Sequence, residues 1–293
     1  MTTEQVSTSF QLIDGLHAPS YYDVNKFRSG LEYKAQPDDI FIVTYPKSGT
    51  TWMEVIVFSL INNGKPFDED NNDYLMRTPY LERVGESTVS TISRPYSIKT
   101  HLPFDRIPYH SQAKYICVIR NPKEVCISLY QFLVKHQQSH YYQCEFDTFF
   151  DDFMKGQLPY GDYYQYLRSM WSYKEHENVL IISHEQMQRD IRCVIQRIAQ
   201  FLNINLTDQD GLLDRVLTFS SYEYMKKNFD KVRKNYSTRT MDNAITAGVS
   251  STNVRNGTVN DRKSCMSDEQ SQQFDKDMAE KMQDMPEFEI LCR

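Results

Sequence analysis

The sequence predicts an α/β protein, a single domain in which a central parallel β-sheet is flanked by helices. Three short apolar runs, residues 40–45, 115–119 and 179–183, are typical of buried strands. Each run is followed by a segment with the apolar content of a helix packed against a core. Strands that alternate with helices indicate a parallel sheet, because each helix carries the chain back to the edge where the next strand begins.

The first strand leads into the most informative segment of the chain. Residues 40–45 are mainly β-branched and aromatic, and Pro46 ends the strand because proline has no N–H for a strand ladder. Gly49 permits a tight turn, and an apolar helix is expected over residues 51–61. Such a strand–loop–helix directs free N–H groups and a positive dipole end at one point, so it binds anions. Lys47 adds a full positive charge. Hydroxyl donors come from Ser48, Thr50 and Thr51.

The other two strand–helix units follow the same plan. After the strand Tyr115–Ile119, Asn121 can cap a helix that begins with proline and is expected over residues 122–135. After the strand Val179–Ser183, one amphipathic helix is expected over residues 185–202.

No internal repeat or low-complexity linker divides the chain, so one domain is expected over residues 1–293, with residues 1–20 irregular. Residues 62–73 are rich in Asn and Asp and predict a surface loop. Residues 237–263 contain many Ser, Thr and Asn and few apolar residues, which predicts a long loop. Loops of that length inside a compact domain are usually functional or disordered.

Composition narrows the classes of function. The net charge of −6 favours neither a nucleic acid nor an acidic membrane as a partner. Residues 1–11 are polar, and no run approaches the roughly 18–20 apolar residues of a membrane span. The six cysteines are scattered, which is typical of reduced thiols and favours a cytoplasmic location. The seven histidines show no metal-ligand spacing, so no metal is expected.

The order of residues in the anion-binding loop indicates which anion it binds. Residues 44–52 read Thr-Tyr-Pro-Lys-Ser-Gly-Thr-Thr-Trp, and Lys47 precedes Gly49, whereas a Walker loop has its lysine after the second glycine. This order resembles the 5′-phosphosulfate loop of the cytosolic sulfotransferases, which use 3′-phosphoadenosine 5′-phosphosulfate (PAPS). The resemblance implies that PAPS is the cofactor and that the fold is a sulfotransferase fold, which is like that of the P-loop NTPases. It implies cofactor contacts from Lys47, Ser48, Gly49, Thr50, Thr51 and Trp52.

A second motif, Lys-Thr-His-Leu-Pro, covers residues 99–103. A histidine with a near-neutral pKa can take a proton from an attacking alcohol or phenol, although a lone histidine is more often structural. Sulfotransferases carry a similar motif at their catalytic histidine, which implies that His101 is the general base. Lys99 and Lys47 would then neutralise charge around the transferring sulfuryl group.

A third motif runs from Arg120 to Ser128. It resembles the Arg-Asn-x-x-Asp-x-x-x-Ser segment that holds the 3′-phosphate in the sulfotransferases, with Glu124 in place of the Asp. The resemblance implies this role for Arg120 and Ser128, and Ser128 is also a catalytic candidate. An arginine suits the role because its planar fork can grip a phosphate with two bonds.

Two further segments complete the implied cofactor site. Trp52 would stack on one face of the adenine, and the segment that begins Ser220-Ser221-Tyr222 resembles the one that covers the other face. His184 stands where the family has a tyrosine that hydrogen-bonds the adenine. Arg255, Asn256 and Gly257 resemble the Arg-Lys-Gly that closes on the 3′-phosphate, with Asn256 removing one positive charge.

The acceptor pocket is less sharply defined. Aromatic residues make up 13% of the chain, which suits a pocket for flat apolar ligands and equally suits a filled core. The resemblance places Tyr80 and Phe132 at aromatic pocket walls, and Tyr22 is a further candidate beside Lys99 and His101. The implied reaction is sulfuryl transfer to a hydroxyl or amine of a small acceptor: a phenol, an alcohol, a steroid-like molecule or a monoamine.

Two alternatives stay open. A non-catalytic nucleotide-binding protein of the same fold is favoured by Asn256 and Arg262, and opposed by the intact Lys47, Lys99 and His101. An atypical small-molecule kinase would need a carboxylate for magnesium, and no strand end offers an evident one.

The resemblance also bears on assembly. Cytosolic sulfotransferases commonly dimerise through a C-terminal Lys-x-x-x-Thr-Val-x-x-x-Glu segment, and the aligned residues 263–272 keep only the lysine. Asp268 replaces the central valine, and Gln272 replaces the glutamate. Like charges that face each other across a two-fold axis are costly to bury. We therefore expect a monomer, or a dimer that does not use this segment.

Overall fold

The computed structural model describes residues 10–66, 77–135, 139–207, 211–228, 265–285 and 287–288. It begins with a two-stranded antiparallel hairpin, β1 (Phe10–Ile13) and β2 (Leu16–Pro19), in which Leu12 pairs with His17. The expectation that residues 1–20 are irregular is therefore wrong for residues 10–19. The hairpin forms because Ile13 and Ala18 are buried in the core, and Gly15, at φ +81°, supplies the turn.

The centre of the fold is a four-stranded parallel sheet, which confirms the predicted fold class. Its strands are β3 (Ile40–Thr44), β4 (Ile98–Thr100), β5 (Lys114–Ile119) and β6 (Val179–Ser183). Their spatial order is β4-β3-β5-β6. Strand β4 was not predicted, because three residues are too short to show a strand pattern.

Helices surround the sheet, and their bounds are as follows. They are α1 (Val24–Leu31), α2 (Thr50–Ile61), α3 (Leu81–Val84), α4 (Glu86–Val89), α5 (Pro122–Leu133), α6 (Phe146–Met154), α7 (Tyr163–Trp171), α8 (His184–Arg189), α9 (Ile191–Phe201), α10 (Leu212–Phe219) and α11 (Asp268–Lys281). A 3-10 turn covers Phe104–Arg106, and residues 222–228 are also helical. No helix in the described ranges is both long enough and apolar enough to cross a membrane.

Each face of the sheet has its own core, because alternate residues of a strand point to opposite faces. In β3, Ile42 packs with Met53 and Ile56 of α2 and with Ile195 of α9. Its neighbours Phe41 and Val43 belong to the larger core on the other face, with the aromatic residues of α6 and α7. Helix α2, which begins in the predicted anion-binding segment of residues 44–52 (hereafter the phosphate loop), is therefore fixed against one face of the sheet.

The one long helix predicted over residues 185–202 is two helices. Asp190 has φ −150° and ψ 80°, which lie outside the helical region, and its side chain accepts the N–H of Cys193 to start α9. Ser183 caps α8 through a capping box with Gln186, so the end of β6 leads directly into a helix start.

Candidate active site

The residues predicted to act together follow the carboxyl ends of the four parallel strands. The loop at Lys47 follows β3, and His101, Arg120 and His184 are the residues directly after β4, β5 and β6. In a parallel sheet these ends lie along one edge, which is where α/β folds bind ligands. The sheet thus gathers residues that are far apart in sequence.

The loop after β3 has the backbone of an anion cradle. Lys47 has φ +71° and Gly49 has φ +111°, and a β-carbon at Gly49 would lie 2.9 Å from Cδ2 of His184. A larger residue would therefore fill the space beside the loop. Ser48 is fully buried, and its Oγ finds no hydrogen-bond partner among the described residues. A buried donor of this kind fits a bound oxyanion.

The start of helix α2 adds donors at the same place. The N–H of Met53 bonds to the carbonyl of Gly49, so the N–H groups before Met53 belong to the helix start, where a helix supplies no internal partners. Gly49 itself is the N-cap and has no side chain to cap the helix. The Oγ1 atoms of Thr50 and Thr44 are 2.7 Å apart, which links the loop to the end of β3.

Arg120 is buried and is held from two sides. One Nη donates to the carbonyl of Lys47 at 2.9 Å, and the other lies 3.3 Å from a carboxylate oxygen of Glu124. The phenol of Tyr163 bonds to both the main-chain N–H and the carbonyl of Arg120. Ser128 lies two turns along α5 and is half-buried. The guanidinium is therefore fixed beside the phosphate loop.

Three of the residues predicted to hold adenine come together. The indole N–H of Trp52 donates to the carbonyl of Ser220 at 2.9 Å, and the Trp52 and His184 rings meet edge to face at 5.8 Å. Burial, and then the charge of Arg120, lower the pKa of His184 to about 3, so its imidazole is neutral. Ser221 bonds within its own turn. Tyr222 begins the helix over residues 222–228, and its ring lies 5.6 Å from the Lys226 ammonium.

The ring of His101 is oriented by the end of β3. Its Nδ1 lies 2.6 Å from the carbonyl oxygen of Thr44 and 3.1 Å from the Thr44 hydroxyl. A carbonyl can only accept, so Nδ1 carries the hydrogen and Nε2 keeps a lone pair. Burial first, and then the charges of Lys99 and Lys47, lower the pKa of His101 to about 3. The ring is therefore neutral over the physiological pH range.

Aromatic rings surround His101 where the acceptor pocket was predicted. The ring of Tyr80 lies 5.0 Å from that of His101, and the Tyr22 ring meets Tyr80 edge to face at 6.1 Å. The Lys47 ammonium lies 4.6 Å from the centre of the Phe132 ring. The structure thus places Tyr80 beside the histidine, Tyr22 beside Tyr80, and Phe132 beside Lys47 of the phosphate loop.

Tyr160 was missed as a site residue. Its ring lies 5.4 Å from His101, and its hydroxyl bonds to the hydroxyls of both Tyr80 and Tyr22. It has φ +72°, a strained value for a tyrosine, which functional sites often hold in place. The one signal in the sequence was the Tyr160-Gly161 pair, which carried no chemistry by itself.

The predicted contacts of Arg255, Asn256 and Gly257, and the loop over residues 237–263, lie outside the described residues. In the part of the chain that the structure covers, no cluster of three His, Cys, Asp or Glu side chains is arranged to hold a metal ion.

Comparison with known proteins decides the family. A family profile described as "Sulfotransferase domain" matches residues 37–286. The chain belongs to the sulfotransferase family. It is 30% identical to Sulfotransferase 1 family member D1 of Mus musculus over 287 residues, 94% of each protein. It is 33% identical to Sulfotransferase 2A6 of Mus musculus, over 87% of this sulfotransferase and 88% of the relative.

Solved structures show the same fold. Mouse sulfotransferase SULT7A1 complexed with PAP is 24% identical, with a TM-score of 0.75 over 97% of this chain and 98% of that one. Retinol dehydratase in a complex with retinol and PAP is 19% identical, with a TM-score of 0.71 over 92% of this chain and 88% of that one. This member of the family is an enzyme of sulfuryl transfer.

Proposed function

We propose that the protein transfers a sulfuryl group from PAPS to the hydroxyl or amine of a small, aromatic or apolar acceptor, with His101 as general base. The observation that carries the proposal is the 2.6 Å contact between His101 Nδ1 and the Thr44 carbonyl. This contact leaves Nε2 as the only ring atom able to take a proton, and it holds the ring against rotation.

The residues of the cradle fit the donor. The buried Ser48 hydroxyl and the first N–H groups of α2 suit the oxygens of a 5′-phosphosulfate, and the fixed guanidinium of Arg120 suits a 3′-phosphate. Trp52, with His184 and Ser220 beside it, offers a flat apolar surface for adenine. When bound, PAPS supplies the sulfuryl group. Two similar structures are complexed with PAP, the desulfated cofactor.

The charges around His101 suit this chemistry. Lys47 and Lys99 are both close enough to lower the pKa of the imidazole. Positive charges that are fixed before the reaction can neutralise negative charge on a transferring sulfuryl group without reorganising. The histidine is already neutral, so the lone pair of Nε2 is available at neutral pH, and the lowered pKa means that the site must favour the imidazolium during the reaction for proton transfer to be fast.

The ring walls favour a flat acceptor. The rings of Tyr80 and Tyr160 meet His101 edge to face, Tyr22 packs on Tyr80, and the Tyr160 hydroxyl bonds to the hydroxyls of the other two. An aromatic or steroid-like skeleton can pack on such rings, while its hydroxyl or amine reaches His101. We expect phenols to be the best acceptors in this group.

Donor transfer is the direct test. Purified protein is incubated with ³⁵S-labelled PAPS and a panel of phenols, alcohols, steroids and monoamines, with labelled ATP as the control for kinase activity. We expect labelled sulfate esters from phenols and no phosphorylated product. Donor binding without transfer to any acceptor would identify a nucleotide-binding protein without turnover. Phosphate transfer from ATP would identify a kinase.

The role of His101 needs matched variants. His101→Ala should lower the saturated rate by about 10²–10⁴-fold, the range for loss of a general base. It should leave the affinity for PAP unchanged. His140→Ala removes an exposed histidine and should behave as wild type. A loss below about tenfold in folded His101→Ala would move the base elsewhere.

A further inference from the structure

A buried carboxylic acid lies directly behind the proposed base. Glu82 belongs to the short helix α3, is fully buried, and accepts the main-chain N–H of His101 on Oε1 at 2.6 Å. The hydroxyl of Thr100 is close enough to lower the pKa of this carboxyl group. His101 is therefore held twice, at its ring by Thr44 and at its main chain by Glu82.

The hydrogen bond to the main chain of His101 does not by itself require a carboxyl group at position 82. A neutral side chain could accept one N–H bond, and burying a carboxyl group is costly. The second oxygen, Oε2, finds no hydrogen-bond partner among the described residues. Lys99 lowers the pKa of Glu82 by its charge, and its ammonium also pairs with Glu54. The acid is thus kept where its charge is poorly compensated.

Titratable groups lie on several elements around Glu82. Lys99 is the charged group on β4, His101 directly follows that strand, and on α2 the carboxylate of Glu54 lies against Lys99. Arg83 and Glu86 are near in sequence, and Lys26 and Arg28 of α1 are exposed. The phenols that feel its charge are Tyr80, Tyr160 and Tyr166. Burial dominates and raises the pKa of Glu82 to about 7.

We propose that Glu82 is a positioning residue for His101, which fixes the main chain of the base and, when ionised, stabilises the imidazolium formed as the acceptor loses its proton. The proposal rests on the proposed function of His101. In this role Glu82 contacts neither substrate nor cofactor, and it acts only through His101.

The sign of the effect follows from the charge. Below about pH 7 Glu82 is protonated and neutral, and above it the carboxylate places a negative charge beside His101. A negative neighbour favours the protonated imidazole and so lowers the barrier to proton transfer. The saturated rate of the wild-type protein should therefore rise with pH through the neutral range. Glu82→Gln keeps an acceptor for the His101 N–H and removes the charge.

The experiment compares saturated rates from pH 5.5 to 9.0 for wild type, Glu82→Gln and Glu82→Ala. The control, Glu86→Gln, removes a partly exposed carboxylate on the next helix. We expect Glu82→Gln to match wild type at pH 5.5 and to be about 3–30-fold slower at pH 8.5, because a close charge shifts a pKa by one unit or more. Glu82→Ala should be slower at every pH. The affinity for PAP should not change in any variant.

A second readout does not depend on turnover. In ¹⁵N-histidine NMR of the protein without cofactor, the His101 signal is assigned by its loss in His101→Ala. Wild type and Glu82→Gln should show one fixed tautomer with the hydrogen on Nδ1, and Glu82→Ala should show a mixture.

The outcomes separate the two proposals. A Glu82→Gln profile equal to wild type, or lowered equally at every pH, overturns the role of the Glu82 charge while the function of His101 stands. An active His101→Ala overturns the general base itself, whatever the Glu82 variants do. A thermal unfolding curve for each variant identifies loss of fold, and Glu82→Gln is close in size to the native side chain.

Discussion

The ammonium of Lys99 lies 3.2 Å from a carboxylate oxygen of Glu54, which is fully buried in helix α2. The pair joins β4, the strand directly before the proposed base His101, to α2, the helix that begins at the phosphate loop. The same ammonium lies 4.9 Å from the centre of the Tyr80 ring. The lysine expected to face the sulfuryl group is therefore held between the cofactor side and the acceptor side of the site.

The effects of substituting Glu54 and Lys99 on the free energy of unfolding should be strongly coupled. Breaking a buried ion pair leaves one charge uncompensated and costs about 3–5 kcal/mol, and Lys99 is partly exposed, so Glu54→Gln should cost about 2–4 kcal/mol. Glu54→Gln combined with Lys99→Met should recover part of that loss, as measured by urea unfolding in a double-mutant cycle. Glu280→Gln, which breaks the exposed pair with Lys276, should cost less than about 1 kcal/mol. Additive losses at Glu54 and Lys99 would show that the two side chains are not coupled.

Arg120→Ala should weaken cofactor binding more than it slows the saturated reaction. Charge-assisted bonds to a buried phosphate contribute about 1.5–3 kcal/mol, so PAP should bind about 10–100-fold more weakly in a calorimetric titration. The matched control is Arg192→Ala, which removes an exposed arginine paired with Asp214 and should leave the titration unchanged. An unaltered dissociation constant in Arg120→Ala would place the 3′-phosphate elsewhere.

The two neutral histidines predict a loss of stability in acid. In the unfolded chain His101 and His184 bind a proton near their ordinary pKa of 6.5, whereas in the folded protein they do so near pH 3. The unfolded state therefore binds more protons as the pH falls below 6.5. Stability should decrease by up to about 1.4 kcal/mol per pH unit for each histidine. The raised pKa of Glu82 acts in the opposite direction between about pH 7 and 4.5 and offsets the share of one histidine there.

Urea unfolding between pH 4.5 and 7.5 measures this slope. His184→Gln should flatten it by the share of one histidine, while His140→Gln, at an exposed position, should keep the wild-type slope. A slope that is the same in His184→Gln and wild type would mean that His184 is protonated in the folded protein.

The C-terminal segment predicts the state of assembly. Ser267 caps helix α11 through a capping box with Gln270, and Asp268 lies exposed in the first turn, where a negative charge favours the helix dipole. We expect a monomer at micromolar concentration in light scattering coupled to size exclusion. A dimer that is lost in Asp268→Lys would show that this segment forms the interface after all.

Sequence reasoning reached the fold class. It also named residues that the structure brings together around the phosphate loop, because those residues lie in local motifs. The phosphate loop follows a strand and precedes a helix, and that order can be read without tertiary contacts. It did not reach Tyr160 or Glu82, whose roles arise only when distant segments meet at His101. It also predicted one helix where Asp190 divides two, since an aspartate inside an amphipathic pattern looks like a solvent-facing residue.

The order of the strands in the sheet predicts different effects for substitutions near its edge and near its centre. Lys99 belongs to β4, an edge strand that pairs with β3 on one side and makes a single bridge to Tyr80 on the other, and His101 directly follows it. The phosphate loop and Arg120 follow the two inner strands. We therefore expect substitutions around β4 to affect the proposed acceptor side more than the phosphate loop and Arg120, whose strands are paired on both flanks. Substitutions at this edge of the sheet should therefore be able to change acceptor specificity while donor binding is retained.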